Sequence, residues 1–193
     1  KEVYSIGKDQ PDNTDGRTTT IDLDYAPEFG NDFTDIILSD TQVLVKKTDG
    51  SWNTWGRGWY GMLGDGQHRS SYYQTTAIPH QVLNAVQEQV VDVKMSNGHM
   101  IVLMTDGYLY GLGANDNYQL GNGNNTQQLA LVPCTWFNDI VDSGWTIKHF
   151  IINTAGTMVC FTNGSIDKVY SAGRNVNHGL MIGGTIHTTY SSL

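Results

Sequence analysis

The chain repeats itself every 57 residues, and this period constrains its fold more than any other feature. A Thr-Asp-Gly tripeptide at 48–50 recurs at 105–107, and as Thr-Asn-Gly at 162–164, without a gap between the copies. Apolar residues precede each copy, and Gly56 and Gly113 follow the first two at the same distance. Self-similarity at such a period is typical of one supersecondary unit copied side by side. The secondary structure of one unit therefore indicates the fold of the whole chain.

Each unit predicts four short antiparallel strands. The Asp-Gly pair at 106–107 lies between two apolar runs and favours a tight hairpin, because glycine tolerates the positive φ of such turns. Pro79 and Pro133 end the fourth segments of two units and indicate edge strands, because proline donates no backbone hydrogen bond. The predicted strands are 35–38, 43–47, 52–55 and 75–78, then 90–93, 100–104, 108–110 and 129–132, then 148–152, 157–161, 169–172 and 186–190.

A half unit precedes these three. Residues 3–7 nearly duplicate residues 169–173, and a second strand is predicted around 18–23. Four antiparallel strands in a repeated unit are typical of a β-propeller blade, so we predict an all-β propeller, with a sandwich or solenoid of hairpins as the alternative. No long helix is predicted, and 81–89 is long enough for two helical turns at most. The expected boundaries are a half blade at 1–30 and blades at 31–86, 87–140 and 141–193.

The composition excludes several classes of function. The net charge of -8 argues against a nucleic-acid partner, since a phosphate backbone requires a basic surface. No apolar run approaches the roughly 20 residues that cross a membrane, so no membrane insertion is expected. Because the sequence begins at Lys1 without a signal peptide, we expect a fragment or processed piece of a longer protein.

The sequence carries no recognisable catalytic or metal-binding motif. It contains no hydrolase, phosphate-loop or dinucleotide signature, and its six histidines lack ligand spacing. The Asp-rich stretch at 9–15 lacks the spacing and closing Glu of a calcium loop and is interpreted as a solvated loop. Cys134 and Cys160 form no metal-type pair, and we expect buried free thiols, with a disulfide as the alternative. We therefore predict no enzyme activity, no cofactor and no metal.

Segment 90–123 resembles the repeat of the regulator-of-chromosome-condensation family, the RCC1-type propellers. The first unit carries Gln42 in place of the family's histidine, and the third loses the Gly-His pair. The resemblance implies a propeller, usually of seven blades, of which this chain supplies about half. Other segments of the same protein, or other copies, would complete the ring. The matching positions are Gly98, His99, Asp106, Gly107, Gly113, Asn115, Gln119, Leu120, Gly121 and Gly123.

Structural roles account for these matching positions. We expect Gly113 to end a strand along the crowded propeller axis, where a side chain would not fit. Leu120 is expected to fill the space between blades, and His99 suits packing between blades because its body is apolar and its tip polar. Asn115 and Asn175 are expected to hydrogen-bond the loop backbone, as asparagine does in turns.

One loop breaks the repeat. Where the second unit has Asn-Asp-Asn-Tyr at 115–118, the first has Gly-Trp-Tyr-Gly at 58–61. Aromatic residues with arginine are typical anchors of interfaces, and loops carry recognition on rigid scaffolds. The alternative is that Trp59 and Tyr60 only cover the flank of the next blade. The predicted binding residues are Trp59, Tyr60, His68, Arg69, Tyr72 and Tyr73.

These features favour a non-catalytic binding module in a larger surface or virion protein, such as a phage tail fibre. It would recognise a protein or glycan receptor, and an extracellular or virion location is favoured over the cytoplasm. The resemblance also implies two alternatives, guanine-nucleotide exchange on a small GTPase and an intracellular protein-interaction scaffold. The sequence shows no counterpart of the wedge and basic arm that exchange and chromatin attachment use in that family.

Overall fold

A computed structural model describes residues 5–6, 20–21, 32–69, 73–154 and 156–174. About half of these residues are in short antiparallel strands. The strands are β1 Ser5–Ile6, β2 Thr20–Ile21, β3 Phe33–Leu38, β4 Gln42–Lys47, β5 Trp52–Arg57, β6 Tyr73–Pro79, β7 Val90–Met95, β8 His99–Met104, β9 Leu109–Gly113, β10 Gln128–Pro133, β11 Thr146–Ile152, β12 Gly156–Thr162 and β13 Asp167–Gly173. Two helices are α1 Gln81–Asn84 and α2 Thr135–Asp142.

The strands form the predicted blades. The first sheet has the order β3-β4-β5-β6 and the second β7-β8-β9-β10, with every neighbouring pair antiparallel. The third sheet has the order β11-β12-β13, and β1 pairs with β2 as the predicted half unit requires. The strand predicted at 186–190 lies outside the described residues. These sheets confirm an all-β fold built from four-stranded blades.

The first strand of each blade lies nearest the axis. Strand β7 contacts both β3 and β11, its counterparts in the neighbouring blades. Strands β6 and β10 lie at the opposite edges of their sheets, so Pro79 and Pro133 belong to edge strands as predicted. Gly113 therefore ends a third strand and not the axial one, and the reason predicted for it is wrong. A Cβ on Gly113 would lie 2.4 Å from the carbonyl oxygen of Gly98, in the turn before β8.

Apolar side chains fill the spaces between adjacent blades. One cluster joins the first and second blades through residues such as Leu44, Met62 and Leu112. A second cluster joins the second and third blades and contains Leu120, which is fully buried as predicted. The sheets are thus held face to face by buried hydrophobic surface, the dominant favourable term in folding.

The two cysteines are free and buried, which confirms the prediction of unpaired thiols. Cys134 lies in the cluster between the second and third blades, at the residue before α2. Burial raises the pKa of the Cys134 thiol far above its usual range, because the thiolate would lose its hydration.

His99 connects the second blade to the third, as predicted. Its Nδ1 lies 2.9 Å from Ser96 Oγ and its Nε2 lies 3.3 Å from Thr157 Oγ1. Because Thr157 Oγ1 donates its proton to the carbonyl oxygen of Gln119 at 2.7 Å, it accepts from His99 Nε2, which fixes a neutral imidazole with the proton on Nε2. His99 thereby satisfies both ring nitrogens inside the interface.

Asn115 also takes its predicted role. Its Oδ1 accepts from the Leu120 N–H at 3.0 Å, and its Nδ2 donates to the Asn124 carbonyl at 2.7 Å. These bonds close the loop that brings Leu120 back between the blades. Asn175 lies outside the described residues.

Helix α2, of eight residues, was not predicted from the sequence. Helix α1 is the short helical segment expected within 81–89. Each helix carries an asparagine that clamps the start of a third strand. Asn138 Oδ1 accepts from the Leu109 N–H at 2.9 Å and its Nδ2 donates to the Leu109 carbonyl at 3.0 Å. Asn84 makes the same pair of bonds with Trp52. The helices thus belong to the repeated unit and tie its outer end to the sheet.

Candidate functional site

The predicted binding residues lie in and next to the loop between β5 and β6, at one end of the first blade. Arg57 is the last residue of β5, and a single 3-10 turn, Trp59–Gly61, follows it. The Arg57 guanidinium lies directly over the ring of Trp59 and 5.7 Å from the centroid of Tyr73. Trp59 in turn meets Tyr60 edge to face, with centroids 6.0 Å apart. The site is therefore organised around an arginine that the sequence analysis missed.

His68 and Arg69 fold back onto this stack. The Tyr60 N–H donates to His68 Nδ1 at 3.2 Å, and the two rings lie 5.6 Å apart. Arg69 binds Asp65 through Nη2 at 2.7 Å and Nε at 3.1 Å, and its N–H donates to the Gly58 carbonyl at 3.1 Å. The structure thus brings together five of the six predicted residues with Arg57. We call Arg57, Trp59, Tyr60, His68, Arg69 and Tyr73 the Trp59 surface; Tyr72 lies outside the described residues.

Tyr60 has a packing role in addition. The turn Trp59–Gly61 contacts β9 and β10 of the second blade. A Cβ on Gly98 would lie 3.3 Å from Tyr60 Cδ2, and one on Gly61 would lie 2.5 Å from Leu129 Cδ2. The alternative predicted for Tyr60, covering of the next blade, is therefore part of the structure. His68 is exposed, while Arg57, Trp59 and Tyr73 are half-buried.

The backbone of this turn is strained. Tyr60 has φ 56°, and in the described part of the chain only Tyr118 shares a positive φ among residues other than glycine. A side chain in the left-handed region costs about 1–2 kcal/mol and persists where neighbouring contacts hold it. Contacts with the second blade hold Tyr60 in place, so the blade interface fixes the direction in which the Trp59 surface points.

A local lengthening of the repeat supplies the residues of the site. Gly64 and Pro79 in the first unit correspond to Gly121 and Pro133 in the second, and the first unit has three more residues between them. His68 and Arg69 fall in this longer segment. These three extra residues are missed when the two units are aligned at a constant spacing of 57 residues. Residues 67–73 then look like substitutions and not like an insertion.

The electrostatics of the Trp59 surface differ from those of the chain as a whole. The net charge is -8, yet Arg57 and Arg69 lie in one loop. Asp65 neutralises Arg69, whereas Arg57 forms no ion pair within the described ranges. The Arg57 Nε is buried and has no hydrogen-bond acceptor there either. The surface thus offers aromatic faces and an uncommitted guanidinium, which are groups that bind ligands.

No group of three or more His, Cys, Asp and Glu side chains within the described residues is arranged to hold a metal ion. None of the helices in the same part of the chain is both long and apolar enough to cross a membrane.

Comparison with known proteins agrees with this architecture. Residues 106–138 match the family model of the Regulator of chromosome condensation (RCC1) repeat. The fold is similar to that of yeast RCC1 (Prp20) in its crystal structure with Kap60, with a TM-score of 0.59 and 15% identity over 81% of this chain and 35% of the other. The predicted RCC1-type repeat and its propeller fold are confirmed.

Two further solved structures show the same fold. Prp20p from Saccharomyces cerevisiae, whose structure was described with its binding to Gsp1p and histones, matches with a TM-score of 0.56 and 13% identity over 80% of this chain and 36% of its own. Human WBSCR16 matches with a TM-score of 0.51 and 16% identity, over 89% of this chain and 41% of its own. The chain therefore spans less than half the length of each of these structures.

Proposed function

We propose that this chain is a non-catalytic protein-binding module whose Trp59 surface receives the partner. One observation carries the proposal: a guanidinium is stacked on Trp59 beside Tyr73, in the loop where the first blade departs from its own repeat. Tryptophan, tyrosine and arginine are the residues that most often dominate the binding energy of protein interfaces. Their pre-stacked arrangement lowers the entropy lost when a partner orders them.

The rigid blades support this proposal. Strands β5 and β6 anchor both ends of the loop, and the packing of Tyr60 on the second blade fixes its middle. The described residues of the loop, 58–69, are thus presented from a scaffold of strands, as residues of recognition loops are. The setting we propose is a larger surface or virion protein outside the cytoplasm, with a receptor protein as the partner. The acidic, Asn-, Thr-, Gly- and Tyr-rich composition motivates this setting.

Selection from a phage-displayed library of random twelve-residue peptides tests the proposal. Affinities of the selected peptides are then measured for the wild type and for Trp59→Ala and Trp145→Ala. Trp145 is a matched control, because it is also half-buried beneath a cation, Lys168, 4.6 Å from its ring, but lies on the third blade. We expect Trp59→Ala to weaken binding by about tenfold or more, as interface anchors do, and Trp145→Ala to change it by less than about twofold.

Three results would replace this proposal. Selected peptides that bind Trp59→Ala as tightly as the wild type would place recognition elsewhere. Binding to a glycan array that is lost in Trp59→Ala would make the receptor a carbohydrate. Accelerated release of labelled GDP from a panel of purified small GTPases would favour the exchange-factor alternative.

A further inference from the structure

We infer that the Trp59 surface binds a protein segment anchored by a carboxylate, the side chain of an aspartate or glutamate, and that Arg57 receives it. This inference rests on the proposed function and specifies the chemistry of its partner. Guanidinium groups recognise carboxylates through paired charge-assisted hydrogen bonds, which are shorter and stronger than neutral ones.

The Nη groups of Arg57 are the donors that a partner's carboxylate can reach, because its Nε is buried. Its central carbon lies over the ring of Trp59 and 5.7 Å from the centroid of Tyr73. An arginine stacked on an aromatic ring can still donate from the N–H groups at its edge. Hydrogen bonds to a carboxylate form in the plane of the guanidinium, so stacking and carboxylate binding are compatible. The rings also fix the orientation of the guanidinium, which reduces the entropy lost on binding.

Within the described residues, no acidic side chain pairs with the charge of Arg57. Asp65, the acidic residue of this loop, is occupied by Arg69 at 2.7 Å. The other ion pairs of the described residues join Lys47 to Asp32, Lys94 to Asp92 and Lys148 to Asp167, away from Arg57. The buried Nε has no acceptor among the described residues, so donor capacity is left unused. An arginine that has no acidic partner in the described part of the chain favours an acid on the binding partner.

The equivalent position of the second blade shows that the blade itself does not need this charge. Ala114 corresponds to Arg57 in the 57-residue repeat, and it is buried with only 6% of its surface exposed. The third blade has Arg174 directly after Gly173, as Arg57 follows Gly56 in the first, and Arg174 is exposed. Arg174 therefore provides a matched arginine for a control.

A double-mutant cycle tests the inference with the peptides selected on the wild type. Each acidic residue of a Trp59-dependent peptide is replaced by its amide, and binding to wild type, Arg57→Gln, Arg57→Lys and Arg174→Gln is measured. We expect one Glu→Gln or Asp→Asn change to weaken binding to the wild type about 10- to 100-fold, since a charged hydrogen bond contributes that much. The same peptide change should have less than about a twofold effect on Arg57→Gln, and Arg174→Gln should behave as the wild type.

The variants also separate a binding role from a structural one. Arg57→Lys keeps the charge but not the fork, so we expect an intermediate affinity, and thermal unfolding of each variant checks that the blade remains folded. Two results would overturn the carboxylate inference and leave the proposed function intact. In the first, the affinity of a Trp59-dependent peptide does not change when its acidic residues become amides. In the second, that change lowers the affinity for the wild type and for Arg57→Gln equally. Peptides indifferent to Trp59 would overturn the proposed function itself.

Discussion

Gly113→Ala is expected to lower the free energy of unfolding by about 4 kcal/mol or more, a large fraction of the roughly 5–15 kcal/mol by which a typical domain is stable. Gly113 has φ +111°, a conformation that alanine rarely adopts. The added Cβ would lie 2.4 Å from the Gly98 carbonyl oxygen and 2.8 Å from His99 Cα, both backbone atoms that cannot rotate away. Strands β8 and β9 would have to separate at the point where they pair, and the turn that positions His99 would move with them. Denaturant unfolding followed by circular dichroism measures the loss.

Gly107→Ala is the matched control for that experiment. Gly107 also has a positive φ, 86°, but nothing lies within 4 Å of the Cβ that alanine would add. We expect it to cost only the backbone strain, about 1–2 kcal/mol. Equal losses in the two variants would show that conformation alone, and not contact with the turn before β8, requires glycine at 113.

Stability is expected to fall steeply as the pH drops from about 6.5 to 4. Burial lowers the pKa of both His80 and His99 to about 4 in the folded chain, because a buried imidazolium loses its hydration. In the unfolded chain each histidine binds its proton near pH 6.5, so below that pH the unfolded state takes up protons that the folded state refuses. Each histidine then costs up to about 1.4 kcal/mol per pH unit, and about 3 kcal/mol over the window. Above pH 6.5 the effect is absent.

Substitution separates the two histidines from the carboxylates, which also titrate at low pH. His99→Gln places at this position the residue that the repeat carries at Gln42. We expect it to halve the slope of unfolding free energy against pH between 6.5 and 4, although the lost bonds to Ser96 and Thr157 cost about 1–2 kcal/mol at neutral pH. His149→Gln, at an exposed residue, should leave the slope unchanged. An unchanged slope in His99→Gln would contradict the neutral, buried imidazole.

The blade was predictable because its requirements are local and repeated. The hairpin at 105–107 needs glycine at Gly107, and glycine recurs one period away on either side, at Gly50 and Gly164. The inter-blade position of His99 followed from the mixed character of its ring. These features survive in sequence because each depends on one side chain or one turn.

Other features could not be predicted from the sequence. They depend on contacts between distant residues, or on equivalent residues whose spacing differs from 57. Asn84 and Asn138 make the same clamp but lie 54 residues apart, so a 57-residue comparison does not align them. The axial position predicted for Gly113 was wrong, since which strand lies innermost is decided only when blades pack. The role of Arg57 was not predicted, because its stacking on Trp59 depends on the path of the following loop.

Hydrogen exchange of the chain with and without a saturating selected peptide tests the central claim most directly, because it locates the contact without mutation. We expect the backbone amides of 57–69 and 73–74 to exchange more slowly by about tenfold or more in the complex, because a bound partner suppresses the local opening from which amides exchange. The equivalent segment of the second blade, 114–128, serves as an internal control and should be unchanged. Protection at 114–128 or elsewhere, with none between 57 and 74, would contradict the assignment of binding to the Trp59 surface.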